Sequence, residues 1–156
     1  MPSKIAAFKI FRRSITVAIF SGRNLEFLDI QHLSNTPKAA SETLNRFVGW
    51  TLENFRPQLC ALAVDEEDKQ PRAAMLTDVV EKRLLAQGIP VWKVTDQELL
   101  EAYALPALTQ KHNLRQIACS LWPHIAEQQL PALDAALVGH YVQVERLLSD
   151  HSQTPS

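Results

Sequence analysis

Ile5-Ala6-Ala7-Phe8-Lys9-Ile10-Phe11 and Ile15-Thr16-Val17-Ala18-Ile19-Phe20, separated by the polar break Arg12-Arg13, decide the fold of this chain. Both runs are rich in β-branched and aromatic residues and bounded by polar ones, which predicts strands. Ser21-Gly22-Arg23-Asn24 is a good turn. From Leu25 to Leu33 the chain then alternates, with Glu26, Leu28 and Ile30 on one parity and Phe27, Asp29 and Gln31 on the other. Short breaks between three strands imply an antiparallel meander. The nearly continuous apolarity of the first two strands implies cover on both faces of the sheet.

Beyond residue 33 the period changes. Thr36-Pro37 is a helix start, with Thr36 as cap and proline in the first turn. Leu44, Phe47, Val48, Thr51, Leu52 and Phe55 recur at helical spacing, and Pro57 closes the helix. Leu59-Cys60-Ala61-Leu62-Ala63-Val64 is a short apolar strand, followed by the acidic loop Asp65-Glu66-Glu67-Asp68. A second helix is expected over 72–87, with Met75, Val79, Val80 and Leu84 inward, and a fifth strand over 89–94. Helix-strand-helix-strand order with short joins predicts parallel crossovers of right-handed sense. Asp96 is placed to cap a short helix with Glu98 and Glu101 solvated near its start. Helices are expected around 109–122 and from about Pro131 to Leu148, the last with Leu133, Leu137, Tyr141, Val144 and Leu148 as its buried stripe.

The expected architecture is α/β: a mixed five-stranded sheet, three antiparallel strands then two parallel, flanked by helices. With 156 residues and 46% hydrophobic content, one domain over 1–148 with a loose polar tail over 149–156 is the natural division. Seventeen acidic against 16 basic residues give a net charge of -1, which argues against broad electrostatic wrapping of nucleic acid but leaves room for local patches. Cys60 and Cys119 lie in apolar surroundings and read as reduced core thiols. No apolar run reaches the roughly 18 residues of a membrane span, and no secretory leader is evident, so a cytoplasmic protein is expected.

The order of elements and the placement of the acids resemble the ribonuclease H-like fold, and within it the RuvC-type Holliday-junction resolvases, over roughly residues 4–148. The resemblance implies catalysis by two divalent ions, usually magnesium, held by carboxylates from the first strand, the end of the fourth strand and the last helix. One ion generates hydroxide and the second stabilises the leaving oxygen, about 4 Å away. The fourth-strand carboxylate falls on Asp65, or on Glu66 if the strand runs further. The last-helix carboxylate falls on Asp134, in the family's Asp-Ala-Ala context at Asp134-Ala135-Ala136.

The departures from the pattern carry as much weight. The first-strand aspartate aligns with Lys9, no glycine follows within Phe11-Arg12-Arg13-Ser14, and Leu137 stands where the resolvases carry a second aspartate on the last helix. An ammonium in the pocket would repel Mg2+ and pair with Asp65 or Asp134. Glu26, Asp29 and the acids of 66–68 are the candidates to replace the missing ligands. The resemblance therefore implies a remnant site of Asp65, Glu66 and Asp134 with Lys9 among them, no resident cofactor, and no metal expected, with Asp65 and Asp134 the ligands if one binds.

Arg12, Arg13 and Arg23, with Lys4 and Lys9, make the N-terminal hairpins the most basic region, and Lys111 and Arg115 form a second cluster opening a helix; together they are the candidate nucleic-acid contacts. The five histidines are too scattered for a zinc site, and His140, six residues beyond Asp134, points from another side of its helix. No P-loop, dinucleotide fingerprint or serine nucleophile arrangement is present. Three functions follow. The first is a RuvC-like protein without nuclease activity that serves as a nucleic-acid-associated or protein-binding module. The second is a structure-specific endonuclease using Mg2+ or Mn2+ at an altered site, acting on branched or single-stranded nucleic acid. The third is a homodimeric scaffold without nucleic-acid contact.

Overall fold

The computed structural model describes residues 3–64, 71–103, 117–123 and 130–153. Three strands open the chain, β1 (Lys4–Ile10), β2 (Ser14–Ser21) and β3 (Asn24–His32). They are followed by α1 (Pro37–Phe55), β4 (Leu59–Val64), α2 (Pro71–Ala86), β5 (Val91–Thr95), α3 (Asp96–Ala102) and the last helix, α4 (Leu130–Gln153), with 117–121 also helical. The five strands form one sheet in the order β3-β2-β1-β4-β5. β1, β2 and β3 pair antiparallel, whereas β4 lies parallel to β1 and β5 parallel to β4. The expected mixed α/β sheet flanked by helices is the observed one, a ribonuclease H-like architecture.

Side-chain alternation divides the core into two layers. Ala6, Phe8 and Ile10 of β1, Ile15, Val17 and Ile19 of β2, and Cys60 and Leu62 of β4 pack beneath α1 and α2. Ile5 and Ala7, Ala18 and Phe20, and Ala61 face the other way, against Leu133, Ala136 and Leu137 of α4. Burial on both faces is why β1 and β2 are almost wholly apolar. No helix among the described residues is long and apolar enough to cross a membrane.

Several local expectations are corrected. Met75 is exposed, because the inward stripe of α2 is Leu76, Val80 and Leu84, at helical spacing one residue further on. Thr36 stands at the N-cap of α1 with extended dihedrals, yet its side chain makes no capping bond there. The α1 end is formed by Arg56 in the left-handed region (φ 47), whose N–H bonds to Leu52 O, just before Pro57. β5 starts at Val91, after Pro90, which has no N–H to give a ladder. Thr95, not Asp96, caps α3: its hydroxyl accepts from Glu98 N at 3.1 Å while Glu98 Oε1 accepts from Thr95 N, a reciprocal capping box. Finally, α4 runs on to Gln153, and Val144 is exposed, because the buried face centres on small residues and Leu133, Leu137 and Val142.

Candidate active-site cleft and the Lys9–Asp134 pair

Alternation along β1 puts Lys9 on the same face as Ile5 and Ala7, the face covered by α4. A lysine there leaves an apolar strand and extends beneath a helix, so its ammonium needs a partner. Asp134, in the second turn of α4, supplies one: Lys9 Nζ lies 3.7 Å from Asp134 Oδ2, with the two side chains 18% and 16% exposed. Nζ also lies 5.3 Å from the centre of the Phe11 ring, so an aromatic face shields the cation on a further side. Thr16, opposite Lys9 in the β1–β2 register, is fully buried and donates its hydroxyl to the Lys9 carbonyl at 3.0 Å. That bond ties the backbone that carries the lysine to the neighbouring strand.

Asp134 reaches β1 because its helix comes close to the sheet. Ala132, Ala135 and Ala136 are fully buried, and Gly139 sits directly over Phe20 and Ala7. Leu137, where a second carboxylate stands in the resolvase pattern, is 2% exposed and part of the core beneath α4. A carboxylate there would be sunk in hydrocarbon. Gln143 donates through Nε2 to the carbonyl of Gly22, anchoring α4 to the β2–β3 turn.

His140 is occupied structurally. Its Nδ1 is 2.7 Å from Tyr103 Oη, its ring stacks on Tyr103 at 6.2 Å, and Trp122 meets it edge-on at 5.9 Å. Burial holds its imidazole below the ordinary value of 6.5 and pushes the Tyr103 phenol up to about 12. Both groups are therefore uncharged at neutral pH, as a packed aromatic cluster requires.

The remaining candidate residues fall in three places. Asp65, Glu66, Lys111 and Arg115 lie outside the described residues. Arg12 and Arg13 are exposed in the β1–β2 turn, at the end of the sheet where Lys9 lies; Arg23 is in the β2–β3 turn, at the other end. Successive turns of a meander alternate between sheet ends, about 25 Å apart for strands of this length, so the N-terminal basic residues do not form one patch. Lys4 belongs with Arg23 and is paired to Glu26 at 3.2 Å. Asp29 shares the α1 face of β3 with Phe27, so neither acid of β3 joins Asp134. Among the described residues no group of three or more His, Cys, Asp or Glu could hold a metal ion.

Sequence reading missed Thr16 and Phe11 as partners of Lys9. The signal was there for Thr16, a hydroxyl in an apolar strand at the register position opposite the lysine. Phe11 lies past the end of β1, where alternation no longer fixes direction.

A mixed sheet in this order, with a terminal helix laid across β1 and β2, defines a ribonuclease H-like α/β protein. The fold resembles that of the RuvC resolvases at low sequence identity over most of the chain. RuvC of Thermus thermophilus superposes with a TM-score of 0.70 at 12% identity, covering 92% of this chain and 96% of that one. The same protein in complex with Holliday junction substrate gives 0.70 at 14%, covering 93% and 96%. The yeast mitochondrial Holliday junction resolvase Ydc2 gives 0.61 at 10%, covering 97% of this chain and 86% of that one. No protein-family model and no curated protein matches the sequence.

Proposed function

We propose that this chain is a RuvC-like ribonuclease H-fold protein that lacks nuclease activity and acts as a nucleic-acid-associated module. The reading is carried by one observation, the ammonium of Lys9 at 3.7 Å from Asp134. Two-ion hydrolysis places divalent ions among converging carboxylates. An ion coordinated by Asp134 would be seated about 2.1 Å from its oxygen, and so within a few ångströms of Nζ. At about 4 Å and an effective dielectric near 20, repulsion between a divalent and a monovalent cation is about 8 kcal/mol. The aspartate is better neutralised by the lysine already beside it. In this reading the described donors do not fit a catalytic divalent ion, and Lys9 takes the electrostatic role of one without its Lewis acidity.

The nucleic-acid association rests on the resolvase-like fold together with the placement of Arg12 and Arg13 at the Lys9 end of the sheet. The experiment is direct. Branched and single-stranded DNA are incubated with the protein in Mg2+ and in Mn2+, and cleavage is scored against Asp134→Ala. No cleavage by either protein is expected, with retained binding to branched DNA that weakens in Arg12→Gln/Arg13→Gln. Metal-dependent cleavage that disappears in Asp134→Ala would overturn the proposal in favour of an endonuclease with an altered site.

A further inference from the structure

On the sheet face opposite the Lys9–Asp134 pair, β3 and α1 enclose an open groove of about 420 Å3 lined by Asp29, Gln31, Thr43, Arg46, Phe47 and Trp50. Its floor is Phe47, which belongs to the core. One wall is an indole with an unusual degree of exposure: Trp50 is 45% exposed, although it is held by two aromatic neighbours. Phe55 meets it edge-on at 5.9 Å and Phe27 is tilted at 5.8 Å, so neither stacks flat against it. The result is a braced aromatic plate with exposed surface beside polar groups.

Those polar groups are of complementary kinds. Asp29 uses Oδ1 to accept the N–H of Ile30 at 2.8 Å, which fixes the carboxylate and leaves Oδ2 as an acceptor. Arg46 is exposed and brings a guanidinium to the same groove, with no ion pair to Asp29. Thr43 adds a hydroxyl. A stacking plate, a fixed acceptor and a planar cation are what a base, its exocyclic amine and its phosphate need. The volume is in the range of small-ligand sites.

We infer that the groove between α1 and β3 binds a nucleoside phosphate, its base stacked on Trp50, an exocyclic amine of that base bonded to Asp29, and its phosphate paired with Arg46. The ligand is either a free nucleotide or an unpaired nucleotide within a single strand; the chemistry at the groove is the same. The site is on the other face from Lys9 and Asp134, so its failure would leave the reading of that pair untouched, and loss of that reading would not remove the groove.

Tryptophan emission of the full chain is titrated with GMP, guanosine, UMP and a labelled single-stranded oligonucleotide of about 12 guanine-rich nucleotides, the length scale of a single-strand site. GMP should quench and should bind several-fold more tightly than guanosine or UMP. Trp50→Ala should weaken GMP about tenfold or more, the scale of a lost base–aromatic stack. Arg46→Gln should remove the difference between GMP and guanosine. Asp29→Asn keeps an oxygen for Ile30 N–H and turns donors to the groove, so it should invert the preference between GMP and UMP. Arg46 is exposed and Asp29→Asn keeps the bond to Ile30 N–H, so these two variants keep the test independent of folding even if Trp50→Ala disturbs the aromatic trio. An oligonucleotide that binds far more tightly than GMP identifies a single strand as the source; equal affinity identifies the free nucleotide. Absence of binding by GMP and by the oligonucleotide at millimolar concentration, or binding indifferent to both Trp50→Ala and Arg46→Gln, would overturn the inference.

Discussion

Gly139 of the last helix lies directly on the ring of Phe20: a methyl group on Gly139 would come within 2.6 Å of Phe20 Cε2 and 3.1 Å of the Ala7 Cβ. Phe20 is fully buried and flanked by Trp122 at 6.1 Å, so the ring has little room to yield. Gly139→Ala gains helix propensity of about 1 kcal/mol. It also forces an overpacked contact of roughly 1–3 kcal/mol. The contact should win, because 2.6 Å is far inside van der Waals separation. Thermal unfolding should show a midpoint lowered by several degrees, with Gly139→Val worse. A raised midpoint in Gly139→Ala would mean that α4 stands further from the sheet.

His140 gives the protein a specific acid sensitivity. Burial lowers its imidazole below 6.5, so the unfolded chain binds the proton more readily than the folded one. Stability from this group is therefore complete above pH 6.5 and declines as pH falls from there toward the folded value. His140→Asn keeps a polar atom for Tyr103 and removes the titration. Urea unfolding at pH 7.5 and 5.5 should show a smaller loss in the variant than in the wild type. Equal losses would locate the acid sensitivity elsewhere.

Cys60 is fully buried in β4, and desolvation pushes its thiol up to about 12. The reactive species is the thiolate, which is scarce at such a value and out of reach of reagent. Ellman's reagent at pH 8 should leave Cys60 unmodified in the folded protein and titrate it on addition of denaturant. Cys60→Ser should not abolish any nucleic-acid binding. Rapid native-state modification of Cys60 would contradict the placement of β4 inside the sheet, between β1 and β5.

The fold was readable because its signals were periodic. Ile5–Phe11 and Ile15–Phe20 are buried on both faces, and their apolar runs say so without the help of neighbours. The α1 stripe of Leu44, Phe47, Val48 and Thr51 is likewise where the spacing puts it. Errors gathered where two local solutions compete. Met75 and Leu76 are both apolar and adjacent, and packing against Phe8 and Leu62 of the sheet chooses Leu76. Thr95 and Asp96 can each cap a helix, and Glu98 three residues after Thr95 closes the box. The candidate site was half readable. Sequence order brings Lys9 and Asp134 to one cleft, since alternation fixes the face of a strand residue. It could not reveal the split of Arg12 and Arg13 from Arg23, or the groove at Trp50, because both depend on where meander turns and helix flanks meet in space.

Lys9 supplies the sharpest test of the cleft. Removing its charge in Lys9→Ala takes the facing cation away from Asp134, whose side chain is only 16% exposed. For a pair between the exposed and buried extremes, the expected loss is about 1–2 kcal/mol. Lys9→Asp goes further, placing a second carboxylate in reach of the first and converting a pair that attracts into one that repels. In chelator its thermal midpoint should fall below that of Lys9→Ala. The same two carboxylates then offer hard oxygen ligands, so Mn2+ should raise the midpoint of Lys9→Asp. At ten times the dissociation constant the gain is about 1.4 kcal/mol, or roughly 3–5 °C for a chain of this size. The wild type should show no comparable rise, because its ammonium already lies 3.7 Å from Asp134. A Mn2+-induced rise in the wild type as large as in Lys9→Asp would show that the native cleft accommodates the cation with its lysine in place.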